Sequence, residues 1–227
     1  MTRPASRPAS PLADGQIRGL VAVDIAGFTR ADRDKDIHLY LRRSLYDILQ
    51  GALGAVGVAW EACYHEDRGD GVLLVLPADV SLAAIIGPLT ERLRDLIQRH
   101  NRVSREVADM QLRVAVHAGP VSHDGYGIVS SDVNFLYRML DTKALKHLLA
   151  SSGAELAMIV SETVHRDVAA GSPDQAGQVA FRQVRFQFRY ARARAWICAP
   201  GSPSELSRVP ARQEGAHHGS VKTIPSP

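Results

Sequence analysis

The chain has 227 residues, of which 45% are hydrophobic and 22% are charged, and its formal net charge is +3. This length and composition predict one globular domain with a sizeable core, and they exclude a fibrous or wholly disordered protein. So small a net charge gives no reason to expect nucleic acid or a membrane surface as a partner. Two cysteines are too few for a disulfide framework, and we expect a reducing, cytoplasmic location.

Both ends of the chain are rich in Pro, Ser, Gly and Ala. Large apolar side chains are scarce there, so these segments bury too little surface to offset the entropy lost on ordering. We predict disordered tails at residues 1–16 and 199–227 and an ordered domain at 17–198. His217 and His218 are interpreted as an unstructured pair rather than a metal site. The sequence shows no signal-peptide core and no apolar run of membrane-spanning length.

The ordered part alternates between two patterns. Short continuous apolar runs predict buried strands, and apolar residues spaced three and four apart predict helices packed on a sheet. The predicted strands are 19–24, 59–65, 72–77, 110–119, 155–160 and two within 179–199. The predicted helices run from about Ile37 to the glycines at 51, 54 and 57, from near Pro88 to about 101, and from about 131 to 141.

The order of these elements predicts the fold class. Strands 59–65 and 72–77 form a hairpin whose turn contains Gly69 and Gly71, and 110–119 alternates apolar and polar side chains as a half-buried strand does. Hairpins mixed with helical crossovers favour an α+β fold with a ferredoxin-like core. We expect a mostly antiparallel sheet with helices packed on one face.

Two aspartates lie at the ends of predicted strands, where glycines form the adjoining turns. Asp24 ends the first strand, and Asp70 lies in the hairpin turn "RGDG". If the first strand lies beside the hairpin, the two carboxylates meet at one end of the sheet, where their repulsion favours a bound hard cation such as Mg²⁺ or Mn²⁺. The turn at Gly27 offers backbone amides to phosphate oxygens. The alternative is that Asp70 only forms a Gly-Asp-Gly turn.

A third feature is the helix "SSDVNFLYRML". Its apolar residues form one face, which leaves Asn134 and Arg138 side by side on an adjacent face. An amide beside a guanidinium can orient a ribose and neutralise charge that develops on a phosphoryl group. The alternative is that both side chains are solvated, so only the combination with the aspartates is informative.

Four motifs, in this order, carry a family resemblance: "VDIAGFT", "RGDG", "LRVAVHAGPV" and "VNFLYRML". Together they resemble the landmarks of the class III nucleotide cyclase catalytic domain over residues 17–198. The organisation is similar to that of the short single-domain bacterial pyrimidine cyclases of antiphage defence. The resemblance implies that a nucleoside triphosphate is converted to a 3′,5′-cyclic nucleotide and pyrophosphate.

The resemblance also assigns roles to residues. Asp24 and Asp70, with the backbone of Ile25, correspond to the ligands of two divalent ions, Mg²⁺ or Mn²⁺, on the triphosphate. Asn134 and Arg138 correspond to the transition-state pair, which the family donates across a head-to-tail homodimer. The remaining implied substrate contacts are Gly27, Phe28 and Thr29 in the phosphate turn and either Arg189 or Arg192 at the terminal phosphates.

The base is predicted from Glu66, which stands where adenylyl cyclases of this class carry a lysine. A carboxylate only accepts hydrogen bonds, so it favours guanine or uracil over adenine. The second base-reading position falls on Gly127, which has no side chain. We rank UTP first and GTP second, with a cyclic-nucleotide-binding effector downstream. The alternative is that Glu66 pairs with Arg68 and reads nothing.

Two other functions are compatible with parts of the sequence. A cyclase-like module that senses a nucleotide or regulates a partner without turnover is the main rival, because one base-reading position is empty. The segment "FRQVRFQFRYARAR" interleaves arginines with aromatic residues, which suggests an RNA-binding sheet. The near-neutral charge and the lack of a recognisable RNA motif disfavour that interpretation.

Overall fold

A computed structural model of the chain describes residues 15–171 and 180–201, without the side chains of 170 and 171. Most of the two predicted tails, including His217 and His218, therefore lies outside the described residues. Cys63 and Cys198 are buried free thiols. Of the helices in the described ranges, none has the length and apolar character that a membrane crossing requires.

Eight strands and six α-helices make up the described part of the chain. The strands are β1 Gln16–Ile25, β2 Tyr64–Asp67, β3 Gly71–Val75, β4 Leu112–His123, β5 Ile128–Val129, β6 Leu156–Ser161, β7 Arg182–Phe188 and β8 Ala191–Cys198. The helices are α1 Lys35–Ala55, α2 Leu82–Ala84, α3 Thr90–Val103, α4 Ser131–Leu140, α5 Lys143–Ser152 and α6 Glu162–Gly171.

The strands form one sheet in the order β2-β3-β1-β4-β6-β8-β7, and β5 pairs with β4 beside this path. Only β4 and β6 run parallel among the described strands, and the other neighbouring pairs are antiparallel. The predicted α+β class with a mostly antiparallel sheet is therefore confirmed. In the centre of the sheet, β1 lies between β3 and β4, so the end of β1 is flanked on both sides.

The expectation of helices on one face only was wrong, because the sheet is covered on both faces. Side chains of β1 alternate between two hydrophobic clusters: Val21 and Val23 pack toward α1 and α3, and Leu20 and Ala22 pack toward α4 and α5. Helix α6 also packs on the first of these faces. Strand β4 is buried on both sides for the same reason, which corrects the half-buried strand expected from its alternation.

Two element boundaries also differ from the prediction. Trp60–Ala62 is a short 3₁₀ turn, and the strand begins only at Tyr64. Pro88 does not begin a helix but lies in a π turn, Ile85–Leu89, within a helical stretch that starts at Leu82. Proline removes one helical hydrogen bond, and here the hydroxyl of Thr90 donates to the carbonyl of Ile85 over 2.8 Å.

Helices α5 and α6 were not predicted as elements. The signal for α5 was present: the side chain of Thr142 caps the helix by accepting from the amide of Leu145, and Leu145, Leu148 and Leu149 repeat at helical spacing and are buried. The segment is only ten residues long, and so short a pattern is easily taken for a connection between α4 and β6.

Candidate active site

A cavity of about 720 Å³ opens beside α4, on the face of the sheet that carries α4 and α5. Its volume lies in the range of small-molecule sites. Predicted site residues from four separate parts of the chain line it: Asp24, Asp70, Asn134, Arg138 and Arg189. Residues that the sequence-based prediction did not place in the site also line it, among them Arg68, Tyr137, Asp141 and Phe188.

Asp24 projects from β1 on the same face as Leu20 and Ala22, since side chains two apart on a strand share a face. Its neighbours in register are Gly71 on β3 and Arg113 on β4. Arg113 donates two hydrogen bonds to it, Nε to Oδ1 and Nη2 to Oδ2, both over 2.8 Å. Both side chains are only 15% exposed, so this is a largely buried bidentate pair.

Burial raises the pKa of Asp24 to about 6, although the charge and hydrogen bonds of Arg113 act in the opposite direction. The charge of Asp70 adds to the increase. Arg113 therefore compensates the buried carboxylate only in part, and a further cation near Asp24 would stabilise its charged form.

The backbone holds Asp70 next to Asp24. The amide of Ile25 donates to the carbonyl of Asp70 over 2.9 Å, and Gly71 packs directly against β1. A Cβ on Gly71 would lie 2.1 Å from the carbonyl oxygen of Val23, so only glycine permits this approach. Gly69 has a φ of +85°, which completes the turn. The two glycines thus fix where Asp70 stands relative to β1.

The turn that carries Asp70 is tied to α1. Asp67 accepts from the amide of Gly69 over 2.7 Å and from the hydroxyl of Tyr46 over 2.8 Å, and Arg42 contacts both Asp67 and the carbonyl of Gly69. Burial raises the pKa of Asp67, but these hydrogen bonds outweigh it and hold the pKa below its ordinary value. No local pattern predicts this anchor, because Arg42 and Tyr46 lie 21 to 27 residues before the turn residues they contact.

The proposed phosphate turn follows β1 directly but does not line the cavity. The amides of Ile25 and Ala26 donate to the carbonyls of Asp70 and Gln111, so within the turn the exposed Gly27, with φ +62°, is the first amide open to a ligand. Phe28 stacks on His38 with ring centroids 4.5 Å apart. The roles of Ile25, Gly27, Phe28 and Thr29 in binding remain predictions.

The loop around this turn is braced from inside. The buried guanidinium of Arg33 donates to the carbonyl oxygens of Gly27, Val107 and Asp109 over 3.0, 3.0 and 2.6 Å. This contact joins the turn after β1 to the segment before β4.

Helix α4 presents Asn134 and Arg138 to the cavity, as its apolar pattern predicts. Val133, Leu136 and Leu140 are buried against the sheet, while Asn134 and Arg138 are exposed at the cavity wall. Within the described ranges, the side chains of Asn134 and Arg138 make no hydrogen bond or ion pair, so both side chains are available to a ligand.

A pair formed by the buried His117 and the part-exposed Asp132 supports the start of α4. His117 on β4 is bonded through Nε2 to Oδ1 of Asp132 over 3.0 Å, and it packs against Phe135. A carboxylate only accepts, so His117 donates. Burial lowers the pKa of His117, and the bond to Asp132 opposes this only in part. The imidazole is therefore neutral at physiological pH and fixes α4 against the sheet.

Glu66 does not line the cavity. Its carboxylate forms an ion pair with Arg68 at 3.2 Å and accepts from the hydroxyl of Tyr64 at 3.4 Å. This is the pairing that the sequence offered as the alternative to base reading. The guanidinium of Arg68 lies over the ring of Tyr137, 5.2 Å from its centroid, and burial raises the pKa of Tyr137 to about 12.

Of the two arginines considered for the terminal phosphates, only Arg189 lines the cavity. It has a φ of +53° in the turn between β7 and β8, and its guanidinium lies 5.4 Å from the ring centroid of Phe188. Arg192 is exposed on β8, opposite Gln187. The turn thus directs one of the two candidates to the cavity and leaves the other at the sheet surface.

The two aspartates fit a hard divalent ion. Carboxylate oxygens are the ligands that Mg²⁺ and Mn²⁺ prefer, and the raised pKa of Asp24 indicates negative charge that Arg113 does not fully compensate. No group of three or more His, Cys, Asp or Glu side chains forms a metal cluster in the described ranges. An ion held by Asp24 and Asp70 would complete its coordination with substrate phosphates and water, as Mg²⁺ commonly does.

No family model matches the sequence, and no curated protein is significantly similar to it. Solved structures share its fold. The guanylyl cyclase Cya2 has 16% identity and a TM-score of 0.58, with 84% of this chain and 96% of that chain covered. An adenylate/guanylate cyclase/hydrolase from Silicibacter pomeroyi has 17% identity and a TM-score of 0.58, with 83% and 99% covered. The guanylate cyclase domain of RhGC from Catenaria anguillulae, in complex with GTP, has 16% identity and a TM-score of 0.52, with 82% and 97% covered.

At sequence identities this low, the structural similarity establishes the fold alone. The chain has the fold of the class III adenylyl and guanylyl cyclase catalytic domain over nearly the whole length of those domains. The fold expected from the four motifs is therefore confirmed.

Proposed function

We propose that this protein is a nucleotide cyclase that converts a nucleoside triphosphate into a 3′,5′-cyclic nucleotide and pyrophosphate. The observation that carries the proposal is the cavity itself. Asp24, Asp70, Asn134 and Arg138 come from three distant segments and line one cavity in a cyclase fold.

Each residue has a role that its chemistry allows. Asp24 and Asp70 would hold the divalent ions, which supply a lowered pKa at the ribose 3′-hydroxyl and charge neutralisation at the leaving pyrophosphate. Asn134 orients the ribose through its amide, and Arg138 neutralises charge that develops at the α-phosphoryl group. Arg189 lines the same cavity, and we assign it to the terminal phosphates.

The reaction is an in-line displacement. The ribose 3′ oxygen loses its proton to water and forms a bond to the α-phosphorus, while the bond from the α-phosphorus to the oxygen bridging to the β-phosphate breaks. Pyrophosphate departs with the electron pair of that bond. In this mechanism no side chain bonds covalently to the substrate. Catalysis therefore depends on positioning the reacting groups and on stabilising the charge of the transition state.

The base and the biological role are finer parts of the proposal. Glu66 in place of lysine favours UTP first and GTP second, and the motif resemblance leads us to propose a cyclic UMP signal in antiphage defence with a cyclic-nucleotide-binding effector. A cytoplasmic location agrees with two buried free thiols.

The enzyme reading is tested by incubating the purified protein with Mn²⁺ and each of the four ribonucleoside triphosphates, with mass spectrometry of the products. We expect cyclic UMP, less cyclic GMP, and about 100-fold less product or none from Asp70→Asn. Absence of any cyclic product from a protein that binds a triphosphate would refute the enzyme function. Product formed by Asp70→Asn at the wild-type rate would refute the metal role.

The family resemblance puts the two halves of each site on different chains. Among the similar structures, one guanylyl cyclase domain from Blastocladiella emersonii is described as a non-canonical dimer and another as monomeric. Here one chain already lines a single cavity with both halves. On the family resemblance we propose a homodimer in which Asn134 and Arg138 of one protomer act on the metals of its partner, whereas the single-chain cavity favours a site within one chain, and an experiment separates the two arrangements.

Complementation distinguishes a shared site from a site within one chain. Asp24→Ala and Arg138→Ala chains are each expected to be inactive, and mixed heterodimers regain activity if the halves act in trans. A heterodimer confirmed by native mass spectrometry that stays inactive indicates a site formed within one chain.

A second candidate is a nucleotide-sensing module without turnover. Both carboxylate oxygens of Asp24 accept hydrogen bonds from Arg113, so Arg113 competes with a metal ion for this carboxylate. Calorimetric titration with UTP and GTP, in parallel with the product assay, separates the two. Tight binding without product in Mg²⁺ or Mn²⁺ favours the sensor.

A further inference from the structure

The turn after β1 has three consecutive backbone amides without an acceptor. Within the described ranges the N–H groups of Gly27, Phe28 and Thr29 make no hydrogen bond, whereas those of Ile25 and Ala26 are paired. Gly27 has a φ of +62°, and Phe28 and Thr29 have negative φ. Successive amides in such a turn form a concave surface that binds anions. The turn therefore offers three neighbouring donors to an anion.

Two side chains that follow the turn hold its carbonyls. Nη1 of Arg33 donates to the carbonyl of Gly27, and Nε2 of His38 donates to the carbonyl of Phe28, both over 3.0 Å. In a trans peptide the carbonyl and the next N–H point in opposite directions. The amide of Phe28 is therefore turned away from Arg33. For the same reason the amide of Thr29 is turned away from His38.

Arg33 is itself anchored in the domain. It is only 6% exposed, and its Nε and Nη2 donate to the carbonyls of Val107 and Asp109 over 3.0 and 2.6 Å. A guanidinium is planar, so hydrogen bonds to three carbonyls limit how it can turn. The position of the Gly27 carbonyl is thus tied to the segment before β4.

The positive charge of Arg33 has no ion-pair partner in the described part of the chain. Burial lowers the pKa of Arg33, and the charge of Arg30 acts in the same direction, whereas Asp32 and Asp109 oppose it. Arginine still stays protonated in proteins. A buried positive charge behind the turn favours an anion in front of it, because the interior screens charge less than water does.

The turn is within reach of a substrate in the cavity. Asp24 lines the cavity, and Gly27 comes three residues later in the chain. Three residues span at most about 11 Å, so the phosphate chain of a nucleotide beside Asp24 can reach the amides of the turn. Gly27 and Thr29 are exposed, which leaves this side of the turn open.

We propose that Arg33 and His38 are positioning residues for phosphate binding, because they turn the amides of Phe28 and Thr29 toward the terminal phosphates of a nucleoside triphosphate. The inference rests on the proposed function and deepens it, since it names the side chains that prepare the phosphate turn. Neither Arg33 nor His38 contacts the substrate in this arrangement. His38 fixes one peptide, and Arg33 fixes another and adds a buried positive charge.

The experiment separates phosphate binding from turnover. Titration calorimetry at constant Mn²⁺ measures the affinity for the 3′-deoxy analogues of UTP and GTP, for the corresponding monophosphates and for inorganic tripolyphosphate. The variants are Arg33→Met, Arg33→Lys, His38→Phe and His38→Gln. Two controls accompany them. Arg43→Met removes a charge from an exposed position of α1, and Ile97→Ala lowers stability through a cavity in the core.

We expect Arg33→Met to weaken triphosphate and tripolyphosphate binding about 10-fold, the effect of losing a hydrogen bond to a charged group. Monophosphate binding should hardly change. Arg33→Lys keeps the charge without the planar fork and should lie between wild type and Arg33→Met. His38→Phe keeps the ring that stacks on Phe28 but loses the donor, whereas His38→Gln retains a donor and should bind triphosphate more tightly than His38→Phe.

The kinetic signature follows from the same reasoning. A positioning residue that acts on terminal phosphates lowers substrate affinity, so KM should rise in Arg33→Met while kcat changes little. Arg43→Met and Ile97→Ala should bind triphosphate as wild type does, at a temperature where both are folded.

A measurement on the wild-type protein tests the inference even where a variant does not fold. Tripolyphosphate should slow hydrogen exchange of the amides of Phe28 and Thr29, measured by NMR. The amide of Arg30 already donates to the carbonyl of Gly27 over 3.1 Å and should change less. Absence of added protection at Phe28 and Thr29 would overturn the inference.

Three further results would also overturn it. Equal weakening of monophosphate and triphosphate in Arg33→Met indicates a general structural effect. The same loss in Ile97→Ala assigns the effect to stability. Unchanged triphosphate affinity in both Arg33→Met and His38→Phe removes the positioning role. Triphosphate binding that depends on Arg33 but yields no cyclic product supports the inference and refutes the cyclase function.

Discussion

The two faces of the sheet are built differently, although they are formed by alternate residues of the same strands. One face carries α1, α3 and α6. On this face, the described residues that β1, β3, β4 and β6 contribute to the hydrophobic core are all apolar. On the α4 and α5 face the same strands carry Asp24, Arg113 and His117 beside small or aliphatic residues.

This difference means that one face mainly stabilises the fold and the other carries the charged groups of the candidate site. Apolar burial on the first face stabilises the domain without any requirement for partners. On the second face each charged group needs one, and Asp24 is compensated only in part, as its pKa of about 6 indicates. Substitutions on the two faces should therefore have different consequences, and four predictions test this.

The largest effect is expected from Asp70→Asn on the α4 face. Loss of one metal-binding carboxylate should lower cyclisation by about 100-fold or more, because metal catalysis contributes several kcal/mol to the transition state. Asp70 is part-exposed at a turn, so the urea midpoint should barely move. Mn²⁺ should raise the melting temperature of wild type but not of the variant, and an equal rise in both would contradict the metal site.

On the opposite face, Ile97→Ala should act on stability alone. Ile97 in α3 is fully buried, and removing its side chain leaves a cavity that costs about 2–5 kcal/mol of unfolding free energy. Base preference, measured at a temperature where the variant is folded, should not change. Val103→Ala, at an 84% exposed position of the same helix, is the control and should be neutral. A changed base preference in Ile97→Ala would show that the faces are coupled.

Arg113→Met, on the α4 face, should lower the free energy of unfolding by less than Ile97→Ala does. The variant leaves the largely buried Asp24 without its hydrogen-bond donor, which costs about 1–3 kcal/mol in urea unfolding. Arg113→Lys keeps the charge but loses the bidentate geometry, and it should recover part of the loss. If Met and Lys destabilise equally, the charge of Arg113 has no role in holding Asp24.

The smallest effect concerns pH and His117. Burial lowers the pKa of His117 below its ordinary value of 6.5, so the unfolded state binds the proton first as the pH falls. The resulting loss of unfolding free energy begins as the pH falls through about 6.5 and continues until the folded pKa is passed. His117→Asn should show a shallower decline than wild type between pH 7 and about pH 5.5, whereas His147→Asn, at an exposed position, should retain it. Parallel curves for His117→Asn and wild type would contradict the assignment.

The local pattern of the sequence was sufficient for much of the fold. Continuous apolar runs predicted the strands at the centre of the sheet, and helical spacing placed Asn134 and Arg138 beside the apolar face of α4. The glycine turns after Asp24 and before Asp70 identified the two acids, because a strand end beside a glycine is a local signal.

Other features depended on contacts between distant residues. Arg113 meets Asp24 across 89 positions through the register of β1 with β4, and no local pattern encodes a register. Glu66 and Arg68 are two apart in the sequence, yet only packing against Tyr137 decided which of them faces the cavity. The sequence by itself therefore determined most of the elements and the chemical groups they carry. Tertiary packing decided the partners of those groups, because periodicity is local whereas burial and charge pairing are not.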